Sequence, residues 1–248
     1  MICIVSPHFD DAALSCADHA RAWLSAGAEP LVVNVFTAAG AIGAGSALMA
    51  ANLAATGVNN ARAYVAIRQA EDHACMQALG LRAVDLGFVD AGFRGAEVPD
   101  YVDLRALCVA KLPARELDRV SQVAQALSAY AHARLALCPL AIGGHVDHLI
   151  TKTACERVFP AARLAYYADM PYARAPWRWT WSALPKLQRR RVSLLTMSAQ
   201  KRAALALYRS QMAVLFRAPP RYPEILLLPR LCSDTRLVAT TCMSAIEP

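Results

Sequence analysis

The stretch MICIVSPHFDDAALSC, residues 1–16, has the pattern of a buried strand that runs directly into a polar turn and then a helix. Its first residues are apolar, and apolar residues recur at helical spacing over residues 11–26. His8 and two adjacent carboxylates, Asp10 and Asp11, stand between the two patterns. Because neighbouring carboxylates repel each other, a positive partner would stabilise this turn. The stretch therefore predicts a strand followed by a helix, with a candidate cation site between them.

The rest of the chain repeats this alternation. Further strands are predicted at residues 31–37, 83–91, 134–142 and 163–169, and helices at residues 66–79, 100–111, 115–133 and 146–158. The alternation predicts an α/β fold, a Rossmann-like three-layer sandwich whose mostly parallel sheet has helices on both faces. Such sheets bind ligands at the carboxyl ends of their strands. His8, Asp90 and residues 143–148 follow strands one, three and four, so we expect them to converge on one edge.

The C-terminal part is expected to extend this fold. We predict one domain over residues 1–248, in which about the last 50 residues add a helix and short strands. The helix is predicted at residues 198–216, with Ser198 as its N-cap, and the strands at 190–197, 224–229 and 235–242. The Ala- and Gly-rich segment 38–63 is interpreted as a loop or partly helical lid. The Trp-rich segment 176–181 is either a packed loop or an aromatic platform for a sugar.

Composition excludes several classes of protein. Of 248 residues 56% are hydrophobic, which argues against disorder, and no run of about 18 uncharged apolar residues suggests a membrane span. The first residues include no basic segment of the secretory type. None of the eight cysteines is spaced as C-x-x-C. These features predict a cytoplasmic protein with reduced, buried cysteines and no membrane partner.

Charge is distributed unevenly along the chain. Residues 1–124 contain 9 basic and 13 acidic residues, a net charge of −4, whereas residues 125–248 contain 17 and 6, a net charge of +11. A basic half could bind nucleic acid. However, the sequence has no recognisable nucleic-acid-binding motif, and its densest basic run, residues 186–191, is short. We therefore interpret the basic half as solvated surface and predict no nucleic-acid partner.

Two short clusters have the residue types of a metal centre. The first is SPHFDD at residues 6–11, and the second is GGHVDH at residues 143–148. A catalytic zinc commonly has three protein ligands and one open position for water, which two histidines and one carboxylate would satisfy. Asp10 would then be a spare carboxylate placed to take a proton from that water. Alternatively, Asp10 and Asp11 could simply cap the first of the following helices, and His145 or Asp147 could cap the second.

Four segments, in this order, resemble those of the PIG-L / LmbE-like family of zinc-dependent N-deacetylases. They are SPHFDDAALS, RQAEDHACMQALGLRAVDLGFVD, GGHVDHL and KRAALALYRSQ. The match extends over roughly residues 2–212. The sequence has Phe9 and Val146 where the family commonly has proline, and Ala12 where it often has glutamate. None of these three positions is expected to be a metal ligand.

The resemblance implies removal of an acetyl group from an N-acetylated amino sugar or glycoside, with release of acetate and a free amine. The implied ligands of Zn²⁺, or of another divalent metal such as Fe²⁺, are His8, Asp11 and His148. Asp10 is the implied general base. His145 is implied to stabilise the tetrahedral intermediate, as a hydrogen-bond donor or general acid, and Asp147 to orient or charge-stabilise His145. Arg68 and Asp90 are implied to bind substrate, and the substrate is the only partner implied.

Other interpretations remain open from the residues alone. Two histidines and one carboxylate are also the ligand set of non-haem Fe(II) oxygenases, although those enzymes typically have a β-sandwich fold. A Rossmann-like module could bind a cation or another ligand at this edge without catalysis. Arg68 and Glu71 lie three residues apart and could form an ordinary ion pair on a helix. The sequence leaves the oligomeric state unknown.

Overall fold

The computed structural model describes residues 1–40, 47–94, 101, 103–175, 190–215 and 221–229. The strands of this part are β1 (Ile2–Ser6), β2 (Pro30–Ala38), β3 (Arg82–Val89), β4 (Leu135–Pro139), β5 (Leu164–Tyr167), β6 (Arg190–Leu195) and β7 (Glu224–Pro229). The helices are α1 (Asp11–Ser25), α2 (Ala47–Thr56), α3 (Ala61–Leu79), α4 (Leu104–Leu107), α5 (Leu117–Leu127), α6 (Val146–Val158), α7 (Ala199–Leu205) and α8 (Arg209–Leu215).

The strands form one sheet in the order β3-β2-β1-β4-β5-β7-β6. β1 pairs in parallel with β2 on one side and with β4 on the other. The pairs β2–β3 and β4–β5 are also parallel, whereas β7 runs antiparallel to β5 and β6. The mostly parallel sheet that the alternating sequence pattern predicts is therefore confirmed. Strand order reverses at β1, and such a switch point opens a crevice at the carboxyl ends of the strands.

The helices pack in two groups. Helix α1 contacts α3 and α7, and α5 contacts α6, while both α1 and α6 also contact β1. Every residue of β1 is buried, and so are the apolar residues Leu14, Ala17, Ala20 and Trp23 of α1. Their burial explains why the opening stretch has a mainly apolar strand followed by an apolar stripe of helical period. Within the described residues, no helix is both long and apolar enough to cross a membrane.

The structure describes two segments whose sequence pattern is weak. The Ala- and Gly-rich segment 38–63 is partly helical, as one of its two interpretations predicts, because part of it is the helix α2. The helix predicted over residues 198–216 is two helices, α7 and α8, although Ser198 does cap the first by accepting the Lys201 N–H. The second helix is anchored at its start by Glu71 of α3, which accepts the Ser210 N–H at 2.9 Å and the Ser210 hydroxyl at 2.6 Å. The predicted segments 176–181 and 235–242 lie outside the described residues.

A buried ionic cluster connects the two antiparallel strands to α1. Glu224 of β7 accepts a 2.7 Å hydrogen bond from Lys201 Nζ and lies 2.6 Å from His19 Nδ1. His19 Nε2 lies 3.0 Å from Ser193 Oγ on β6. Burial alone would raise the pKa of Glu224, but Lys201 and His19 hold it at about 2. The carboxylate therefore stays ionised and joins α1, α7 and both C-terminal strands.

Substitution Glu224→Gln is expected to destabilise the protein by about 3–5 kcal/mol, because it leaves Lys201 as a buried charge without its counterion. Urea unfolding at pH 7 would measure the loss in the free energy of unfolding. The matched control is Glu29→Gln at an exposed position, for which a change within about 0.5 kcal/mol is expected. Equal stability of the two variants would show that the cluster is not a stabilising connection.

Candidate active site

The polar residues singled out in the sequence meet beyond the carboxyl ends of β1, β3 and β4. Seven of them line one pocket: His8, Asp10, Asp11, Arg68, Asp90, His145 and His148. The eighth, Asp147, is fully buried behind the pocket wall. Segments from the turns after β1, β3 and β4 and from helix α3 therefore contribute to one site, as the carboxyl-end rule predicts.

Three ligand atoms form a compact cradle in this pocket. Asp11 Oδ2 lies 3.2 Å from His8 Nδ1 and 3.4 Å from His148 Nε2. These three residues form a group whose candidate ligand atoms all lie within 4.8 Å of one another. Ligand atoms at about 2.0–2.2 Å from a tetrahedral zinc are separated by roughly 3.3–3.6 Å. The spacing and the chemistry of this donor set therefore fit a divalent transition metal.

The remaining nitrogen of each candidate ligand histidine contacts a buried carboxylate. His8 Nε2 lies 3.2 Å from Asp147 Oδ2, and His148 Nδ1 lies 2.6 Å from Asp169 Oδ1. Asp169 is itself fixed by the Ile142 N–H, which donates to its second oxygen at 2.9 Å. Such carboxylate contacts set the tautomer and ring orientation of metal-binding histidines. They leave His8 Nδ1 and His148 Nε2 directed at the cradle.

The two adjacent carboxylates are in different environments. Asp11 Oδ2 accepts the main-chain N–H of His8 at 2.9 Å and faces both ligand histidines. Burial opposes ionisation of Asp11, but His148 and His8 hold its pKa well below the usual range. Asp10 instead contacts Arg68, whose Nη2 donates to Asp10 Oδ1 at 3.3 Å. Burial raises the pKa of Asp10, and Arg68 opposes this shift. Asp10 is the N-cap of α1 by position, but its side chain makes no capping hydrogen bond.

Arg68 connects the two sides of the pocket. Its guanidinium lies 3.3 Å from Asp10 and 3.5 Å from Asp90, and it lies over the rings of Phe9 and Tyr64. The alternative of an ion pair between Arg68 and Glu71 is wrong, because Glu71 bonds the start of α8. Asp90 uses its other oxygen to accept the Gly92 N–H at 2.8 Å. Arg68 therefore joins a pocket carboxylate on each side.

His145 is the N-cap of α6, as the capping alternative allows, and it also lines the pocket. Its Nδ1 accepts the main-chain N–H of Asp147 at 3.3 Å, so the neutral ring has its proton on Nε2. Burial lowers the pKa of His145 to about 3. The ring is therefore neutral at pH 7 and can donate one hydrogen bond from Nε2.

The carboxylate of Asp147 makes no hydrogen bond to His145. The resemblance implies that Asp147 orients or charge-stabilises His145, but the hydrogen bonds of its carboxylate go to His8, to the Ala91 N–H at 2.8 Å and to Arg94 Nη2 at 2.7 Å. Its negative charge does favour the protonated form of His145 and so raises the pKa of that ring against the effect of burial. Only the main-chain N–H of Asp147 bonds His145. The physical reason is that the turn after β3 brings two donors, Ala91 and Arg94, to this carboxylate.

Comparison with known proteins places this arrangement in a family. A family model described as PIG-L, GlcNAc-PI de-N-acetylase, matches residues 3–159. The chain belongs to the PIG-L family. A curated relative, the 2′-N-acetylparomamine deacetylase of Streptomyces fradiae, is 33% identical over 173 residues, 68% of this chain and 57% of the relative. The match therefore spans less than two thirds of that relative's length.

Solved structures extend the similarity to most of this PIG-L protein. A deacetylase–bog complex from the biosynthesis pathway of teicoplanin is 28% identical, with a TM-score of 0.69, and covers 91% of this chain and 96% of that one. The zinc-inhibited form of teicoplanin deacetylase is 25% identical, with the same TM-score and coverage. These matches confirm the predicted LmbE-like α/β fold.

Two residues of this PIG-L protein support the site without having been assigned these roles from sequence. Asp169 lies two residues beyond β5 and holds His148. Its position just after a strand was the signal that could have identified it. Arg94 contacts Asp147 from the turn after β3, and its place in the sequence gave no such signal.

The buried carboxyl group of Asp72 lies close to the turn between β1 and α1, which contains Phe9. Tyr208 Oη lies 2.6 Å from Asp72 Oδ1 and 3.0 Å from the carbonyl oxygen of Phe9. A hydroxyl has one hydrogen, so both contacts are satisfied when Asp72 is protonated and donates to Oη. Burial raises the pKa of Asp72 to about 7. Phe9 itself is buried, with Arg68 over its ring, so this side chain packs inside the PIG-L fold.

Substitution Asp72→Asn is expected to remove a pH dependence of stability. The pKa of Asp72 is higher in the folded state than the roughly 3.9 of an unfolded chain, so the folded state alone holds this proton between those values. The contribution of Asp72 to stability therefore falls as pH rises from about 4 to about 7. Urea unfolding of the metal-free protein across this range would measure it, with the exposed Asp118→Asn as control. If the free energy of unfolding has the same pH dependence in wild type and Asp72→Asn, Asp72 is not protonated in the folded protein.

Proposed function

We propose that this PIG-L protein is a zinc-dependent N-deacetylase, which releases acetate from an N-acetylated amino sugar or glycoside. The observation that carries the proposal is the arrangement of the two adjacent carboxylates. Asp11 completes a cradle with His8 and His148, whereas Asp10 faces the same pocket and pairs with Arg68. A module that only binds a cation has no need of the second carboxylate. The α/β fold also argues against an Fe(II) oxygenase, which typically has a β-sandwich.

The residues of the chain divide the chemistry between them. A divalent metal in the cradle would polarise the acetamide carbonyl and acidify the attacking water. Asp10 accepts the proton of that water and later gives it to the leaving amine. His145 donates its Nε2–H to the developing oxyanion, a contact that is stronger in the transition state than in the substrate. Asp10 and His145 are both buried, which strengthens their electrostatic interactions with the reacting groups.

Arg68 and Asp90 are proposed to bind substrate hydroxyls. Both line the pocket beside Asp10, and a guanidinium next to a carboxylate offers donors and acceptors to a sugar. The relatives support this substrate class, because one is a deacetylase of 2′-N-acetylparomamine and another acts in teicoplanin biosynthesis. We also propose a cytoplasmic location, since the cysteines of the described residues have free thiols.

Acetate release by the zinc-loaded protein is the direct test. The panel would include N-acetylglucosamine, an N-acetylglucosaminyl phosphatidylinositol and 2′-N-acetylparomamine, with an O-acetylated sugar as the chemical control. We expect release from at least one N-acetylated substrate, and loss of this release after treatment with a chelator. Zinc restores it if the metal is required. Release that is unchanged in the chelated protein would contradict metal dependence, and metal binding without any turnover would favour the binding module.

A further inference from the structure

Arg94 is the most completely enclosed arginine beside the pocket. Its side chain is 0% exposed. Nη1 donates to the carbonyl oxygen of Val89 at 2.7 Å, and Nη2 donates to Asp147 Oδ1 at 2.7 Å. The guanidinium carbon lies 5.3 Å from the ring centre of Phe36 and 5.8 Å from that of Tyr101. Two hydrogen bonds and two ring contacts therefore determine the orientation of this guanidinium.

The partner of Arg94 leads directly to the proposed metal centre. Asp147 presents Oδ1 to Arg94 and Oδ2 to both the Ala91 N–H and His8 Nε2. The carboxylate is thus clamped at one oxygen by a side chain and at the other by a main-chain donor. His8 Nε2 lies at the end of this chain of contacts, and His8 Nδ1 faces the cradle.

The two ligand histidines are supported by different means. Asp169, which holds His148, accepts a hydrogen bond from the main chain at Ile142. Asp147, which holds His8, depends in addition on a side chain from another turn. A main-chain donor is present whatever the local side chain, whereas Arg94 can be removed by substitution. This difference makes the support of His8 separately testable.

We infer that Arg94 is a positioning residue of the metal centre, which acts through Asp147 to fix the imidazole of His8. The inference rests on the proposed function, because it requires that His8 bind metal. Lysine cannot replace Arg94 fully, since it has one nitrogen and cannot reach Val89 and Asp147 in the same planar geometry. Loss of Arg94 frees the carboxylate to rotate away from His8, so the ligand is no longer held ready for the metal.

The test measures zinc affinity rather than activity. Zn²⁺ competition with a chromophoric chelator would compare wild type with Arg94→Met, Arg94→Lys and Arg119→Met. Arg119 is the matched control. It is a half-buried arginine that donates to Glu116, and Glu116 also lies 3.8 Å from Arg94. We expect affinity to fall about 10–100-fold in Arg94→Met, less in Arg94→Lys, and less than about twofold in Arg119→Met.

A double-mutant cycle separates positioning from general destabilisation. If Arg94 acts through Asp147, combining Arg94→Met with Asp147→Asn should weaken zinc binding no more than Asp147→Asn alone. Additive losses would overturn the inference. If Arg94→Met fails to fold, the same cycle with Arg94→Lys, which keeps the charge, decides it. The absorption spectrum of the Co²⁺-substituted protein provides a second readout, and we expect it to change in the Arg94 variants but not in Arg119→Met.

Asp169→Asn distinguishes failure of this inference from failure of the proposed function. Because Asp169 holds the other ligand histidine, its substitution should also weaken zinc binding about 10–100-fold. Weaker binding in Asp169→Asn with unchanged binding in Arg94→Met would overturn the role of Arg94 alone. Failure of the wild-type protein to bind zinc would contradict the metal centre itself, and the inference with it.

Discussion

Asp10→Asn is expected to lower acetate release by about 10²–10⁴-fold while leaving zinc content unchanged. The substitution keeps the shape of the side chain and removes its ability to accept a proton. Asp10 contacts Arg68 rather than the histidines of the cradle, so the cradle should be unaffected. Arg68 retains Asp90 as a partner at 3.5 Å. The initial rate of acetate release at saturating substrate, divided by the zinc content of the same sample, would measure the effect.

Two controls make this result interpretable. Asp118→Asn changes the same residue type at an exposed position of α5 and should retain full turnover. Urea unfolding of Asp10→Asn should show that the protein remains folded. Turnover within about tenfold of wild type, at normal zinc content, would mean that another group accepts the proton. A loss of zinc would instead mean that Asp10 is a ligand.

The sequence predicted the elements whose pattern is local. Strand β1 and helix α1 follow from a fully apolar run and an apolar stripe, both of which the sheet buries. The start of a separate helix α8 after α7 was harder to predict. Glu71 of α3, which is distant in sequence, accepts the Ser210 N–H at the start of α8. Helix α2 was equally hard to predict, because its Ala-rich sequence has no single apolar face. Contacts between elements override such weak local patterns.

In the candidate site, too, local sequence patterns could be predicted, whereas contacts between elements could not. Both candidate clusters could be predicted, because each follows a strand and contains two potential ligands three positions apart, His8 and Asp11 in the first and His145 and His148 in the second. The direction of the Asp147 carboxylate could not, because it depends on how the turns after β1, β3 and β4 pack together. That packing places His8 and Arg94 on the carboxylate and leaves His145 with the main chain. Motif spacing identifies which residues meet, but not which pairs form.

Asp11→Asn is expected to give the opposite result to Asp10→Asn. Oδ2 of Asp11 is the shared point of the cradle, at 3.2 Å from His8 Nδ1 and 3.4 Å from His148 Nε2. Amidation removes the negative charge that balances a divalent cation, so zinc affinity should fall at least about 100-fold, more than for loss of a supporting carboxylate. Competition with a chromophoric chelator would measure the fall, with Asp10→Asn as the matched control.

The two neighbouring carboxylates can thus be told apart by one pair of experiments. Zinc retained with turnover lost in Asp10→Asn, and zinc lost in Asp11→Asn, would assign one side chain to proton transfer and the other to the metal. The two carboxylates have different contacts, since Asp10 faces Arg68 and Asp11 faces the histidines. Zinc affinity that is retained in both variants would remove this distinction. It would point instead to the other group of candidate ligands, His8, His145 and Asp147, which contains neither carboxylate.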